Sequence, residues 1–136
     1  MPFVLDASVS GGWLLDERRN PTVELAWERL RLEAAWVPSI WWYEIRNLLI
    51  IAERRKRIST AEVNLAWERI GELRIELDAD PDEKQMLALA RRHTLSFYDT
   101  AYLEVAQRRR CPIATTDGAL ARAAAAERIP LIGDQA

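Results

Sequence analysis

Apolar residues in this chain come in runs of two kinds. Phe3-Val4-Leu5, Ala35-Trp36-Val37, Pro112-Ile113-Ala114-Thr115 and Pro130-Leu131-Ile132 are too compact for helices, and Ile75 and Leu77 alternate with polar neighbours over 74–78. All five segments read as short strands, buried where the run is continuous. Between them lie longer stretches with helical periodicity. A first helix is expected over 9–15, weakened by Gly11-Gly12. A second has Asn20 as its N-cap and Pro21 at its first position, and runs to about residue 33. A third spans about 40–56 and is apolar on nearly every side, so it must be covered by its own domain or by a partner. Ser59-Thr60-Ala61-Glu62 is a capping box that opens a fourth helix, to about residue 73. A fifth starts at Pro81, a sixth covers 98–110 and a seventh 118–127. Strands that alternate with helices build a mostly parallel sheet covered on both faces, an α/β fold.

At 136 residues the chain fits one domain, residues 1–136, and needs no disulfide to fold. Its lone cysteine, Cys111, excludes an intrachain disulfide and Cys-based zinc sites. The single histidine, His93, falls in a basic helix end and reads as a surface residue there. No signal peptide opens the chain, and the apolar run 48–52 is far too short to span a bilayer, so a soluble cytoplasmic protein is expected. The net charge of −2 does not mark a strongly electrostatic nucleic-acid binder, although 17 of the 19 basic residues are Arg. Val23 to Leu30 resembles Val63 to Ile70, but two copies do not make a solenoid. They read as two amphipathic helices with similar faces.

Four carboxylates stand where chemistry would place them. Asp6 follows the first strand, Glu44 lies inside the apolar third helix, Asp99 begins the sixth helix and Asp117 follows the fourth strand. Ligands of parallel α/β sheets bind beyond the carboxyl ends of the strands, and Asp6 and Asp117 would meet there if the first and fourth strands are neighbours. Taken singly, Asp6, Asp99 and Asp117 also read as helix N-caps. Glu44 discriminates, because an unpaired carboxylate among Trp41, Trp42, Tyr43 and Ile45 needs a cation, a metal or a proton. Asn47 shares its helix face, whereas Arg46 points elsewhere. Converging carboxylates repel, and hard divalent cations such as Mg²⁺ or Mn²⁺ relieve this. A pair of such ions suits in-line phosphodiester hydrolysis.

The segments Val4-Leu5-Asp6-Ala7-Ser8, Glu44-Ile45-Arg46-Asn47, Tyr98-Asp99-Thr100-Ala101-Tyr102-Leu103-Glu104-Val105-Ala106 and Ala114-Thr115-Thr116-Asp117, in this order, resemble the PIN-domain ribonucleases, and specifically the VapC toxins of toxin–antitoxin pairs. The resemblance covers essentially the whole chain. It implies a three-layer α/β/α fold with a five-stranded parallel sheet in the order 3-2-1-4-5. It also implies a Mg²⁺- or Mn²⁺-dependent endoribonuclease that cuts structured RNA such as tRNA or rRNA with activated water and no protein nucleophile. Asp6, Glu44, Asp99 and Asp117 would hold the metal, with Ser8, Asn47 and Thr115 orienting carboxylates and waters. A homodimer and a cognate VapB-type antitoxin are implied as partners.

Other features fit more than one reading. Trp41 and Trp42 point about 100° apart on a helix, so they suit a helix packed on two sides or a partner interface equally. The basic runs Arg54 to Arg57 and Arg108 to Arg110 complement helix C-termini, or contact RNA phosphates. A phosphotransfer domain fits poorly, because Ser8 occupies the position where a dehalogenase-type site needs Asp and neither Lys56 nor Lys84 follows a late strand. The alternative from a different class is a non-catalytic PIN-like module that acts only through its partner.

Overall fold

The computed structural model describes residues 1–15 and 20–133. Their element order is β1 (Phe3–Leu5), α1 (Ala7–Leu14), α2 (Pro21–Leu30), β2 (Ala35–Pro38), α3 (Ser39–Arg54), α4 (Thr60–Glu72), β3 (Ile75–Asp78), α5 (Glu83–His93), α6 (Phe97–Arg109), β4 (Ile113–Ala114) and α7 (Gly118–Ala126). The strands form one four-stranded sheet in the order β3-β2-β1-β4, and every pairing is parallel. Helices α1 to α4 pack together as one layer, and α5 to α7 as another, with α6 lying on β1, β2 and β4. The fold is therefore a three-layer α/β/α sandwich.

The expected five-stranded sheet, order 3-2-1-4-5, is corrected to four strands. The segment Pro130-Leu131-Ile132 makes only an isolated bridge, between Leu131 and Ile113. Ile113 N–H donates to Pro130 O, and Ile132 N–H donates to Ile113 O, both at 3.0 Å. The ladder stops there for three reasons. β4 offers only two residues, Pro130 has no N–H to donate, and Gly133 at φ +87° turns the chain away.

Local chemistry explains the helix boundaries. Asn20 Oδ1 accepts from Thr22 N and Val23 N at the start of α2, and Ser59 and Glu62 complete the capping box of α4. Gly11 and Gly12 sit inside α1 because the helix is pressed against its neighbours. A β-carbon at Gly11 would meet Leu48 Cδ1 at 2.8 Å, and one at Gly12 would meet Val23 Cγ2 at 2.9 Å. The low helix propensity of glycine is the cost of that close approach. α3 presents one buried stripe, Trp41, Ile45, Leu49 and Ala52, and leaves Trp42, Tyr43 and Ile51 exposed. The adjacent tryptophans thus divide, with Trp41 in the core donating to Ser10 Oγ at 2.9 Å and Trp42 outside.

Arginines at the end of α6 neutralise two buried acids. Arg108 forks onto Asp78 (2.9 and 2.8 Å) and reaches Glu104 Oε2 at 2.7 Å, while Arg109 Nε meets Asp78 Oδ2 at 2.5 Å. The Arg109 guanidinium also stacks on Trp36, 3.3 Å from the ring centroid. These pairings account for part of the basic run at 108–110. His93 differs from its expected surface position: its side chain is only 13% exposed and its Nε2 lies 2.6 Å from Glu127 Oε2, tying α5 to the end of α7.

Burial pushes the Asp78 carboxyl up, but hydrogen bonds from Arg108, Arg109 and the Asp80 N–H outweigh this and hold it at about 2, below its ordinary 3.8. A depressed carboxyl contributes stability that is present above the ordinary value and lost as pH falls through the depressed one. Urea denaturation of the wild type should therefore show stability falling from pH about 4 to about 2, and Asp78→Asn should flatten that loss. Arg108→Met at neutral pH should cost about 3 kcal/mol, because Glu104 is left buried without its cation.

Candidate active site

Adjacency of β1 and β4 creates the site. Leu5 pairs with Ala114, and Asp6 N–H donates to Ala114 O at 3.0 Å, so the residues just beyond each strand meet. Thr115 Oγ1 donates to Asp6 Oδ2 at 2.7 Å, and Ser8 Oγ donates to the same oxygen at 2.7 Å. Thr115 Oγ1 in turn accepts from Asp117 N–H, and Ser8 Oγ accepts from Thr116 N–H, both at 3.0 Å. Ser8 and Thr115 thus both lie against the Asp6 carboxylate.

The capping readings separate. Asp6 occupies the N-cap position of α1 yet makes no side-chain cap. Its carboxylate is buried and committed to Ser8 and Thr115. Asp117 does cap α7, accepting from Ala119 N–H at 3.0 Å through Oδ1. Asp99 is not a cap: it stands in the first turn of α6, where Ser96 caps the helix by accepting from Asp99 N–H at 3.1 Å. Glu44 lies mid-way along α3 and accepts from the Tyr102 hydroxyl at 2.6 Å. Asn47 is exposed one turn further along α3, and among the described residues no hydrogen bond joins it to an acid.

Tyr102 is the residue that sequence reasoning passed over. It follows Asp99 by three positions and so shares its helix face. That spacing was the available signal. Burial, then the hydrogen bond to Glu44, keeps its phenol protonated and therefore a donor. The hydroxyl joins α6 to α3 and brings Glu44 toward Asp99 and Asp6.

The electrostatics are those of acids acting on acids. Burial raises the Asp6 carboxyl, the Ser8 and Thr115 hydroxyls lower it, and the charge of Asp99 raises it further. Glu44 is raised by burial, lowered by the Tyr102 hydroxyl, and raised by Asp6 and Asp99. Asp99 is raised by burial and by Asp117, against the Ser96 hydroxyl. The structure thus brings the four acids into one another's fields. Among the described residues, however, no three His, Cys, Asp or Glu side chains are drawn into a single metal-ligating group. The donor chemistry fits a hard divalent cation, since every candidate ligand is a carboxylate oxygen and no basic group contributes to these shifts.

The PIN-domain family model matches residues 3–126. The chain belongs to the PIN-domain family. In the crystal structure of PAE2754 from Pyrobaculum aerophilum the same fold recurs, with a TM-score of 0.70 and 19% identity over 90% of this chain and 84% of that one. No curated protein matches the sequence. In this PIN domain the matched region contains all four acids together with Ser8, Asn47 and Thr115.

Glu44→Gln should raise the thermal midpoint in chelator, because it removes a repelling charge yet keeps an acceptor for Tyr102; a scanning-fluorimetry midpoint at or below wild type would contradict this. Adding Mg²⁺ or Mn²⁺ to chelated wild type should raise the midpoint, as binding to the folded state alone requires. The rise should be smaller in Asp99→Asn.

Proposed function

We propose that this PIN domain is a metal-dependent endoribonuclease of the VapC toxin type. It would hydrolyse phosphodiester bonds of structured RNA such as tRNA or rRNA, in the cytoplasm, under the control of a VapB-type antitoxin. The observation that carries the reading is the Asp6 carboxylate, held by Ser8 and Thr115 amid the charges of Asp99 and Glu44 with no cation acting on it. Asp6, Glu44, Asp99 and Asp117 are the residues that would hold Mg²⁺ or Mn²⁺. A hard divalent ion bound there supplies Lewis acidity and lowers the pKa of water.

The chain's own groups have defined tasks. Ser8 and Thr115 fix the rotamer of Asp6, and Tyr102 aims Glu44. Asp117 Oδ1 is engaged by the start of α7. Ser8 is unsuited to act as a nucleophile, because its proton goes to Asp6 and its oxygen accepts from Thr116 N–H. Water is therefore the attacking group. Asn47, exposed on the face of Glu44, is placed to orient water or substrate.

A groove of about 510 Å³ supports the antitoxin part of the reading. Trp13, Val23, Trp27, Leu65, Ala66 and Ile70 line it, from α1, α2 and α4. The repeated Leu-Ala-Trp-Glu-Arg segments of α2 and α4 contribute to its two walls. An amphipathic helix fits such a groove. A homodimer is part of the same proposal, and the exposed Leu25 and Leu32 on the α2 side are available to it.

The second reading, a non-catalytic PIN-like module acting through a partner, draws on one observation: among the described residues no metal-ligating group is preformed. A single assay separates the two. Purified protein incubated with total cellular RNA in Mg²⁺, Mn²⁺ or chelator should yield discrete fragments only with metal. Asp99→Asn should lose at least a hundredfold of that activity while its circular dichroism stays unchanged, since one metal-binding charge is lost at nearly constant volume. Absence of cleavage in every lane supports the binding module.

A further inference from the structure

Arg46 is a half-buried cation that no carboxylate meets. Burial lowers the pKa of its guanidinium, and no acid acts against this. Its Nη1 donates to Trp42 O at 3.1 Å, within its own helix. Its Nε is buried and, among the described residues, is the only buried side-chain polar atom without a hydrogen-bond partner. Its Nη2 likewise has no partner among them, and it reaches solvent. Other partly buried arginines are paired: Arg29 with Glu33, and Arg108 and Arg109 with Asp78. A guanidinium drawn partly out of water without a counter-charge costs free energy.

Two indoles hold this cation in place. The Arg46 guanidinium lies 4.0 Å from the ring centroid of Trp42, one turn back on α3, and 5.3 Å from that of Trp67 on α4. Tyr43 meets Trp42 edge to face, with centroids 5.1 Å apart. All three rings are exposed. A guanidinium stacked on a ring keeps its in-plane N–H groups for a ligand, and their direction is fixed before the ligand arrives. One turn away from Arg46 on α3 stand Trp42, Tyr43, Leu49 and Ile50, none of them charged. The patch is therefore one oriented cation in an apolar surround. It is separate from the acids, because two residues turn a helix by about 200° and Arg46 is not among the groups that act on the Glu44 carboxyl.

We propose that Arg46, held by Trp42 and Trp67, is the docking point for one carboxylate of a protein partner, an Asp or Glu side chain flanked by apolar residues. Charge complementarity selects this occupant. One cation among aromatic rings fits one carboxylate among apolar side chains, and Trp, Tyr and Arg are the residues that dominate the energetics of protein interfaces. A nucleic-acid backbone is met by several cations, not one. The accessible Nη2 donates to the carboxylate in a charge-assisted hydrogen bond. The inference does not depend on the ribonuclease reading.

The test is an NMR titration of the isotope-labelled full chain, read at its tryptophan indole N–H signals. Two blocked peptides serve as probes, Gly-Leu-Glu-Leu-Gly and Gly-Leu-Gln-Leu-Gly, each taken to millimolar concentration. The Glu peptide should shift the Trp42 and Trp67 signals saturably, and the Gln peptide should bind about tenfold more weakly, the value of one charge-assisted hydrogen bond. Added salt should weaken the Glu peptide alone. Arg46→Gln should abolish the difference between the peptides, while unmoved Trp13 and Trp41 signals report an intact fold. Three outcomes overturn the proposal. If neither peptide shifts the two signals, Arg46 is only a brace between α3 and α4. If the peptides bind wild type equally, the patch is merely apolar. If an RNA oligonucleotide shifts the signals at lower concentration than the Glu peptide, the patch belongs to nucleic acid.

Discussion

The hydrogen bond from Thr115 to Asp6 joins residues 109 positions apart, and the site is arranged around it. It exists because β1 and β4 are parallel neighbours in the register Leu5↔Ala114, so each strand delivers its next side chain to the same place. From that contact the rest follows in short steps. Ser8, in the first turn of α1, reaches the same carboxylate, and the Thr116 and Asp117 N–H groups close the ring of hydroxyls. α7 starts at Asp117, and α6 brings Asp99 and Tyr102 alongside. A sheet with β4 elsewhere would strip Asp6 of the Thr115 hydroxyl and leave only Ser8 to meet its buried carboxylate.

The molecule treats its buried acids in two opposite ways. Asp78 and Glu104 are met by Arg108 and Arg109, and the Asp78 carboxyl is driven far below its ordinary range. Asp6, Glu44 and Asp99 meet hydroxyls and one another, and all three are driven up. Both groups involve α6. Its C-terminal end supplies arginines that lock the fold, and its N-terminal end carries an acid that has none. The helix macrodipole adds to this division, since it favours cations at one end and carboxylates at the other. The first cluster is an internal brace. The second is a set of carboxylates that no arginine meets.

The exposed aromatics show a parallel division. Trp41 belongs to the core and Trp36 lies beneath Arg109. Trp27 and Trp67 are each 40% exposed at matching positions of α2 and α4. Trp42 and Tyr43 lie outside the buried stripe of α3 and are exposed. The apolar excess of α3 that the sequence displays is thus not all core, since Trp42, Tyr43 and Ile51 are exposed.

Much of the fold was legible because it depends on neighbours within a turn or two. Asn20, Ser59 and Pro21 mark helix starts by local hydrogen bonding and fixed φ, and the short apolar runs mark strands because a buried strand shows no polar face. The four acids could be named from their places after strands and within apolar helices. What the residues could not disclose was every property set by distant pairing. The segment 130–132 has the composition of a strand, yet strand length is decided by its partner, and β4 has only two residues to offer. Asp6, Asp99 and Asp117 all look like caps, and only the structure shows that one of them caps by its side chain. Tyr102 and the Asp78 brace depend on contacts across 58 and 30 residues. By itself, then, the sequence determined the seven helices and the first four strands, since these are local. Only the tertiary structure decided which carboxylates share a field and which receive an arginine, because electrostatic interaction depends on separation in space, which strand order sets.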